Sequence, residues 1–463
     1  MLTRRKFLQN LSMIPAATAT SSLFGSFAAM PASAASTDGY RALVCVFLFG
    51  GMDGHDTIIP VDDDSWRAFS SIRSSLLDAY EDAGNPRTPS TLLGLSPMTL
   101  QGSGREFGLP SEMLAMHSLF EQGNAAIIAN VGPLMERLDR AAFELNQVAV
   151  PDRLFSHNDQ QSTWMSFAPE GARLGWGGRF GDVMVGANAN AESIFSQISL
   201  AGNSVFLAGD TVGPYQIGVE GVPSIGLLEP RAALPASMQL VLRDHFTSAG
   251  ADRSNLFERD FIDLSRVSFA ANDLLSTALV SAPTLETSFP QSGLGAQLGA
   301  VARTISVRES LGATRQVFFV GIGGFDTHSG QATTLPALQR DIADSMAAFY
   351  AATVEMGIEA DVTAFTASDF GRTLTVNGDG TDHGWGSHHF VVGGAVNGGD
   401  IYGAVPDAAL GHDLDSGNGR LIPGLSVEEL AAPLGRWFGL SEAELVAALP
   451  GLAAFGAPPI EFI

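Results

Sequence analysis

Residues 365–386, FTASDFGRTLTVNGDGTDHGWG, decide the fold class that the sequence predicts. The run 362–367 at the start of this stretch is short, β-branched and aromatic, and it follows a long helical pattern, so it predicts a buried parallel strand. Ligands collect at the carboxyl ends of the strands in open α/β sheets. Asp369 and His383 follow the run. The stretch therefore predicts a strand that carries two potential metal ligands at the edge of a parallel sheet.

Two further segments repeat this arrangement. The apolar run 316–320 leads into GIGGFDTHSG, a glycine-rich turn that carries Asp326 and His328. The apolar run 42–49 leads into GGMDGHD, which carries Asp53. We expect these strand ends to meet at one edge of the sheet. Because a cluster of carboxylates without a cation repels itself, the repetition predicts a metal site.

The histidines near residue 388 leave alternatives open. His388 and His389 are consecutive, so only one of them can face the site from a strand. His388 is the preferred metal ligand, and a structural or solvent-facing position for both is the alternative. Asp382 or a backbone group can orient the second nitrogen of His383.

The N-terminus predicts an export signal. Paired arginines at positions 4 and 5 precede Phe-Leu, and an Ala- and Ser-rich stretch ends in a small-residue cleavage pattern at residues 32–34. This is typical of a twin-arginine signal peptide over residues 1–34. Pro15 interrupts the apolar stretch, which argues against a stable membrane anchor. We expect the twin-arginine export machinery as a partner, and a periplasmic or secreted mature protein.

Charge and cysteine content exclude several classes of partner and bond. The formal net charge is −24, so nucleic acid and anionic membrane surfaces are poor partners. Cys45 is the only cysteine, which excludes an intramolecular disulfide. Its place in the first strand pattern predicts a small core residue.

The order of patterns predicts a single large domain. No repeat or Pro-rich linker divides residues 35–463, so we expect one α/β domain with a doubly wound, mostly parallel sheet. The run 124–131 is another apolar strand, and residues 335–356 form a long helix that permits a right-handed crossover. The pattern is less regular over residues 171–290, which we interpret as an inserted cap.

Other segments have simpler patterns. Helices are predicted for residues 111–122, 135–147, 426–438 and 441–449. Residues 62–66 and 80–87 are polar or rich in turn residues, so we expect them to be surface excursions.

Several motifs occur in a fixed order along the mature chain. They are FLFGGMDGHDTIIP, LFSHNDQQSTW, QISLAGNSVFLAG, GGFDTHSGQ, SDFGRT, DHGWGSHHFVVGG and RLIPGLSVEEL. With the twin-arginine signal, this combination resembles the bacterial family known as domain of unknown function 1501. That family is similar to the alkaline phosphatase and sulfatase superfamily. The resemblance implies an alkaline phosphatase-like core and a two-metal site.

The resemblance also implies positions for the ligands. Asp53 would bridge to one metal, and Asp326 and His328 would bind the other. His383 matches the late histidine of the superfamily, and Asp369 matches the aspartate of its Ser-Asp-His-Gly turn.

The sequence departs from this pattern in two places. Phe370 stands where the superfamily has its second ligand histidine, and the spacing from Asp326 to His328 is shorter than usual. One or two divalent ions therefore remain possible, with zinc favoured and manganese, magnesium or calcium as alternatives.

Three residues are candidates for catalysis. Ser156 resembles the superfamily's nucleophile at a helix start, where a metal and the helix N-terminus favour attack, and a simple helix cap is the alternative. His157 is a candidate acid or metal ligand. Arg372 is a candidate for holding an ester oxyanion, with a surface salt bridge as the alternative.

These features predict an exported metal-dependent hydrolase of phosphate or sulfate esters. The expected substrate is a small-molecule or glycan ester. The alternative is a non-catalytic, metal-stabilised binding or structural module of the cell envelope with the same fold.

Overall fold

The structure is a computed structural model, which describes residues 34–102, 104–222, 234–248, 254–456 and 460–463. The predicted export signal lies outside these residues, apart from its last position. The strands of the described part are, in chain order, β1 Arg41–Leu48, β2 Ile59–Pro60, β3 Leu93–Gly94, β4 Phe107–Leu109, β5 Ala125–Gly132, β6 Gln197–Ser199, β7 Tyr215–Gln216, β8 Arg315–Ile322, β9 Val362–Ser368, β10 Arg372–Asn377, β11 Gly380–His383, β12 Ser387–Gly393, β13 Ile401–Tyr402 and β14 Leu425–Ser426.

The described part of the chain also contains α-helices. They are α1 Asp63–Asp82, α2 Leu114–Glu121, α3 Arg140–Glu144, α4 His157–Ser166, α5 Trp176–Gly186, α6 Ala236–Thr247, α7 Leu256–Val280, α8 Gly293–Ser306, α9 Gln331–Glu355, α10 Val427–Phe438 and α11 Glu442–Ala448. In the described part of the chain, no helix combines the length and the apolar character that crossing a bilayer requires.

A nine-stranded sheet forms the centre of the protein. Its order is β13-β5-β12-β9-β1-β8-β6-β7, and β14 also pairs with β5. Only β12 runs antiparallel to its neighbours among these described strands, and the other pairings are parallel. The predicted α/β class with a mostly parallel sheet is therefore confirmed.

The three strands that carry the predicted aspartates are neighbours in this sheet. Leu48 of β1 lies opposite Ile322 of β8 and Ser368 of β9. All three strands run in the same direction, so their carboxyl ends reach one edge at the same level. This register places the loops after the three strands side by side.

Side chains that alternate along β1 enter two separate cores. Val44 and Val46 face a layer that contains α2, α8 and α9, whereas Cys45 and Phe47 face a layer that contains α5, α10 and α11. Both faces of the strand are therefore covered by helices, as its continuous apolar sequence requires. Cys45 is a free thiol in the core, as predicted.

Residues 62–66 and 80–87, predicted as surface excursions, lie at the two ends of α1. The buried positions of this helix, Phe69, Arg73, Leu76 and Tyr80, follow a helical spacing. Arg87, just beyond the helix, is only 1% exposed. Residues 62–66 and 81–86 are exposed or half-buried, as predicted, whereas Tyr80 and Arg87 are buried.

Two other predicted segments also differ in detail. Of the predicted helix 135–147, only the five residues of α3 are helical. Within the predicted cap, α5 lies in the core and β6 and β7 belong to the main sheet, while α6 and α7 contact each other. The limits of the domain and the function of residues 171–290 as a cap stay predictions.

Candidate metal centre

Loops from several elements bring the polar side chains of the candidate site together. The glycine-rich turn after β8 carries Asp326 and His328, and Asp369 directly follows β9. His383 ends β11, the second strand of a hairpin, and His157 begins α4. Residues that are far apart in the sequence therefore meet at the carboxyl-end edge of the sheet.

The carboxylate of Asp326 lies at the centre of this group. The Nε2 atoms of His328 and His383 lie 3.1 and 3.2 Å from its Oδ1 atom, and Nε2 of His157 lies 3.5 Å from Oδ2. The Nε2 atoms of His328 and His383 are 2.9 Å apart. We call these four residues the histidine cluster.

Asp369 orients the first of the three imidazoles. Its Oδ2 atom lies 2.6 Å from Nδ1 of His157 and accepts a hydrogen bond of 2.8 Å from Gln161. Its Oδ1 atom accepts from the backbone N–H of Gly50 at 3.2 Å. With the Nδ1 proton held by Asp369, the Nε2 lone pair of His157 points toward Asp326. Asp369 therefore contacts the far side of the His157 ring from the Nε2 atom.

The other two imidazoles have similar partners. Nδ1 of His383 donates to the carbonyl of Phe155 at 2.7 Å, and Nδ1 of His328 lies 3.3 Å from a carboxylate oxygen of Asp382. Both contacts place the proton on Nδ1 and leave Nε2 as the lone-pair atom. Of the two partners that the sequence allowed for His383, a backbone group is the one observed, and the carboxylate of Asp382 contacts His328.

One donor atom each of His157, Asp326 and His383 lies within 4.8 Å of the other two, close enough for one divalent cation, and His328 adjoins this group. With zinc bonds of about 2.0–2.1 Å, two ligand atoms of a tetrahedral site lie about 3.3–3.4 Å apart. The distances from Nε2 to the carboxylate, 3.1, 3.2 and 3.5 Å, bracket that separation. Without a cation or a proton between them, the two Nε2 lone pairs at 2.9 Å repel each other. Three imidazoles and a carboxylate are a donor set that zinc accepts.

Arg372 keeps the central carboxylate ionised. Burial raises the pKa of Asp326, but the hydrogen bond and charge of Arg372 outweigh it, and the pKa lies below its ordinary value. Arg372 donates from Nη1 to Asp326 at 2.9 Å and to the carbonyl of Gly50 at 3.2 Å, and its other nitrogens donate to Thr381. The guanidinium is only 1% exposed. It is thus a buried group whose salt-bridge partner, Asp326, is half exposed.

The flanking imidazoles differ in their proton affinity. The hydrogen bond to Asp369 raises the pKa of His157. Burial lowers the pKa of His383. His383 is therefore the more easily kept neutral, which is the form that a metal ligand needs.

Phe370 occupies the space beside two of the histidines. Its ring centroid lies 4.8 Å from that of His157 and 4.6 Å from that of His383. A Cβ atom on Gly51 would come within 2.5 Å of this ring. Phe370 is therefore a buried apolar ring that packs on both imidazoles.

Glycines at the end of β1 make the close approach of these loops possible. Gly50 and Gly51 have φ angles of +117° and +91°, which residues with side chains rarely adopt. A Cβ atom on Gly50 would lie 2.4 Å from the backbone nitrogen of Asp326. The two glycines thus let the loops after β1, β8 and β9 contact one another directly.

The structure does not bring Asp53 to the histidine cluster. Its carboxylate is 1% exposed and accepts two hydrogen bonds from Arg73, at 2.8 and 3.1 Å, and one from Gln331 at 2.7 Å. Burial raises the pKa of Asp53, but Arg73 outweighs this effect and lowers it. The carboxylate that the sequence predicts as a metal ligand is thus paired with a fixed guanidinium in this structure.

Asp53 belongs to a second group of charges that the sequence did not reveal. We call it the buried arginine cluster. Arg87 donates to Glu112 at 2.8 Å and lies 3.6 Å from the carboxylate of Asp56, which also accepts from Tyr80 at 2.8 Å. Its charged members are Asp53, Asp56, Arg73, Arg87 and Glu112. No regular spacing links these residues in sequence, so only the packing of α1 against the strand ends defines the group.

His388 is also separate from the histidine cluster. It is 3% exposed, and its Nδ1 atom accepts a hydrogen bond of 3.0 Å from the backbone of Asn130. Burial lowers its pKa to about 3, so the imidazole is neutral at ordinary pH. Its neighbour His389 packs edge-on against Trp164 with ring centroids 5.1 Å apart. The structure places both in the protein interior, which was the alternative to a ligand.

Ser156 lies at the start of α4, next to His157. Its hydroxyl donates to the carboxylate of Asp159 at 2.9 Å, and its side chain makes no hydrogen bond that caps the helix. The hydroxyl therefore has a carboxylate acceptor, which differs from a simple cap. The neighbouring His157, assigned by sequence as an acid or a ligand, lies within the histidine cluster.

Comparisons with known proteins place the chain in a family. A sulfatase structure, whose title concerns the metabolism of multiple glycosaminoglycans by Bacteroides thetaiotaomicron, shares 11% identity over 88% of this chain and 76% of its own, with a TM-score of 0.33. A mutant of the alkaline phosphatase PafA shares 10% identity over 72% of this chain and 64% of its own, with a TM-score of 0.22. No curated protein matches the chain. The family model described as protein of unknown function (DUF1501) matches residues 40–449, and the chain belongs to this family, as its motifs predict.

Proposed function

We propose that the histidine cluster binds one divalent cation and that the protein is a metal-dependent hydrolase of phosphate or sulfate esters. The observation that supports this most strongly is the approach of three Nε2 atoms to the carboxylate of Asp326, each with its Nδ1 atom held by an oxygen. Such preorganised imidazoles are typical of metal sites, where the outer partners fix the tautomer.

The proposed ligands are His157, Asp326, His328 and His383. Zinc suits this set best, and manganese, magnesium or calcium are alternatives. When bound, a divalent cation supplies a Lewis acid for an ester oxygen and lowers the pKa of water.

Other residues hold the proposed ligands in place. Arg372 keeps Asp326 ionised, and Asp369 retains the Nδ1 proton of His157. The raised pKa of His157 also suits it to hold a proton in the unloaded protein.

We propose one ion rather than two. Asp53, the expected bridge to a second ion, already has Arg73 as its cation, and this guanidinium would repel another positive charge. Phe370 fills the adjacent position with an apolar ring. The resemblance to a two-metal superfamily therefore extends, in this proposal, to one of the two sites.

A second candidate function is a metal-stabilised binding or structural module. Two observations favour it: the hydroxyl of Ser156 donates to Asp159, and the guanidinium of Arg372 donates to Asp326 and to backbone and hydroxyl oxygens. Neither group is free in this structure to act on a substrate. In both candidates the metal site is the same.

We also propose that the protein acts outside the cytoplasm. The support is the twin-arginine pattern at positions 4 and 5 and the small-residue pattern at residues 32–34. A fusion of residues 1–36 to a reporter that requires this export route tests the proposal, and a variant with both arginines replaced by lysine is the control.

Metal analysis is the first test of the function. We expect about one equivalent of metal in protein purified without chelator, or after reconstitution with zinc. Substoichiometric metal after reconstitution with zinc, manganese, magnesium and calcium would contradict both candidates.

A substrate panel then separates the hydrolase from the module. Aryl phosphate, aryl phosphodiester and aryl sulfate esters are compared between the wild type and Asp326→Ala. Turnover that depends on Asp326 supports the hydrolase. Metal-dependent melting without turnover of any ester in the panel supports the module.

A further inference from the structure

A cavity of about 250 Å³ lies beside the histidine cluster. Two contacts with Asp369, the residue that is hydrogen-bonded to His157, define this position. Gln161 lines the cavity and donates to Asp369, and Phe49, which also lines it, precedes the backbone N–H of Gly50 that donates to the same carboxylate. The cavity and the proposed metal centre thus share one wall.

The wall of the cavity combines aromatic and amide side chains. Phe49 and Phe319 contribute two rings whose centroids lie 6.3 Å apart in an edge-on arrangement. Asn158, Gln161 and Asn203 contribute amides. An amide both donates and accepts hydrogen bonds, so these groups suit ligands that carry hydroxyls.

The charged side chain in the cavity wall is an acid, which is unfavourable for an anionic ligand. Among the described residues that line the cavity, Glu170 is the charged one, and no lysine or arginine accompanies it. The side chains of Glu170 and Asn158 are exposed and have no hydrogen-bond partner within the described part of the protein. An anionic group would be repelled here, whereas the proposed cation of the neighbouring centre would attract it.

We propose that this cavity binds a neutral sugar ring, the part of the substrate that carries the ester. The inference rests on the proposed function, since it divides one substrate between two neighbouring sites. The volume is just below the range of about 300–1,000 Å³ that holds drug-sized ligands, so it suits a single ring. The ring of Phe49, which packs on the buried ring of Phe319, covers an apolar face of the sugar, while Asn158 and Glu170 bind its hydroxyls.

Binding of free sugars to zinc-reconstituted protein tests the inference. The probes are D-glucose, D-galactose and N-acetyl-D-glucosamine, measured by saturation-transfer NMR titration, with choline as a cationic probe. We expect at least one sugar to bind the wild type. Glu170→Ala and Asn158→Ala each remove a hydroxyl partner and are expected to weaken that binding about tenfold. Asp152→Ala changes an exposed acid outside the cavity wall and is expected to bind as the wild type does.

Three results would overturn the inference: no binding of any of the three sugars, equal binding in all variants, or binding of choline in preference to the sugars. Zinc content measured on the same samples keeps the two proposals apart. Zinc without sugar binding removes the sugar site alone. Sugar binding that depends on Glu170 in protein that retains no zinc removes the proposed metal function and leaves the sugar site.

Discussion

Two aspartates follow adjacent strands of one sheet and have opposite surroundings. Asp53 follows β1, and its side chain is 1% exposed against Arg73. Asp326 follows β8, and its side chain is 46% exposed among three imidazoles. The sequence pattern of a strand, glycines and an aspartate is the same in both cases. The partner that each carboxylate meets comes from another part of the chain.

The charges of these two strand-end carboxylates are stabilised in different ways. In the buried arginine cluster the polypeptide itself supplies two guanidiniums against three carboxylates, so most of the carboxylate charge is balanced without a ligand. In the histidine cluster the imidazoles are weak bases that leave Nε2 lone pairs directed at Asp326. An arginine reaches both aspartates, so the strand-end aspartate that is a candidate metal ligand is the one that imidazoles also face.

The largest effect is expected from Arg73→Met. The substitution leaves Asp53 buried without its cation, and breaking one side of a buried pair costs about 3–5 kcal/mol. Urea denaturation of the metal-free protein measures the loss. The double variant Asp53→Leu, Arg73→Met removes both charges and is expected to recover at least half of the loss. A single variant as stable as the wild type would contradict the pairing.

The matching change in the histidine cluster is Asp326→Ala. We expect zinc affinity to fall on the order of a hundredfold to a thousandfold. This is the loss expected when one of four ligands is removed from a site whose binding free energy is about 10–16 kcal/mol. Competition with a chromogenic chelator measures this affinity. The metal-free protein is also expected to lose stability, because the buried guanidinium of Arg372 loses its carboxylate, but by less than in Arg73→Met, since Asp326 is half exposed. Retained affinity would place the ion elsewhere.

A smaller effect is expected from Asp369→Asn. This variant keeps the shape but weakens the acceptor for Nδ1 of His157, and outer partners of this kind contribute about 10–100-fold to metal affinity. The same chelator competition applies. Asp379→Asn, at an exposed carboxylate outside the cluster, is the control. If both variants bind zinc as the wild type does, Asp369 does not orient a ligand.

The smallest effect concerns pH and Asp56 in the buried arginine cluster. Burial raises its pKa from 3.8 to about 6. The folded state then binds this proton more tightly than the unfolded state, so the contribution to stability is present at low pH and is lost as pH rises through about 6. Asp56→Asn removes this dependence. We expect the difference in unfolding free energy between wild type and variant to change by about 1–1.5 kcal/mol between pH 5 and pH 8.

The same comparison shows how much of the fold and of the site can be predicted from the sequence. The apolar runs predict β1, β5, β8 and β9 to within one or two residues, because buried parallel strands are apolar on both faces. The register of those strands then places Asp326 and Asp369 near each other. That part of the site follows from local patterns and from one rule about strand ends.

The remainder depends on side chains from distant segments. Arg73 pairs with Asp53 from α1, a helix that the sequence did not predict because its inner face carries an arginine. The sequence offered both Ser156 and His157 as candidates at the start of α4. Only the packing of the folded chain shows that Nδ1 of His157 contacts Asp369. The direction of each imidazole is set by an oxygen acceptor that no spacing in the sequence specifies.

The glycines at the end of β1 have a consequence for experiments that score every position of the chain. Gly50 and Gly51 leave no room for a Cβ atom against Asp326 and Phe370. A saturation-mutagenesis map scored for retained zinc would therefore register positions 50 and 51 as intolerant, although neither residue has a side chain to offer. Intolerance at these two glycines would thus locate the site without the replacement of any proposed ligand.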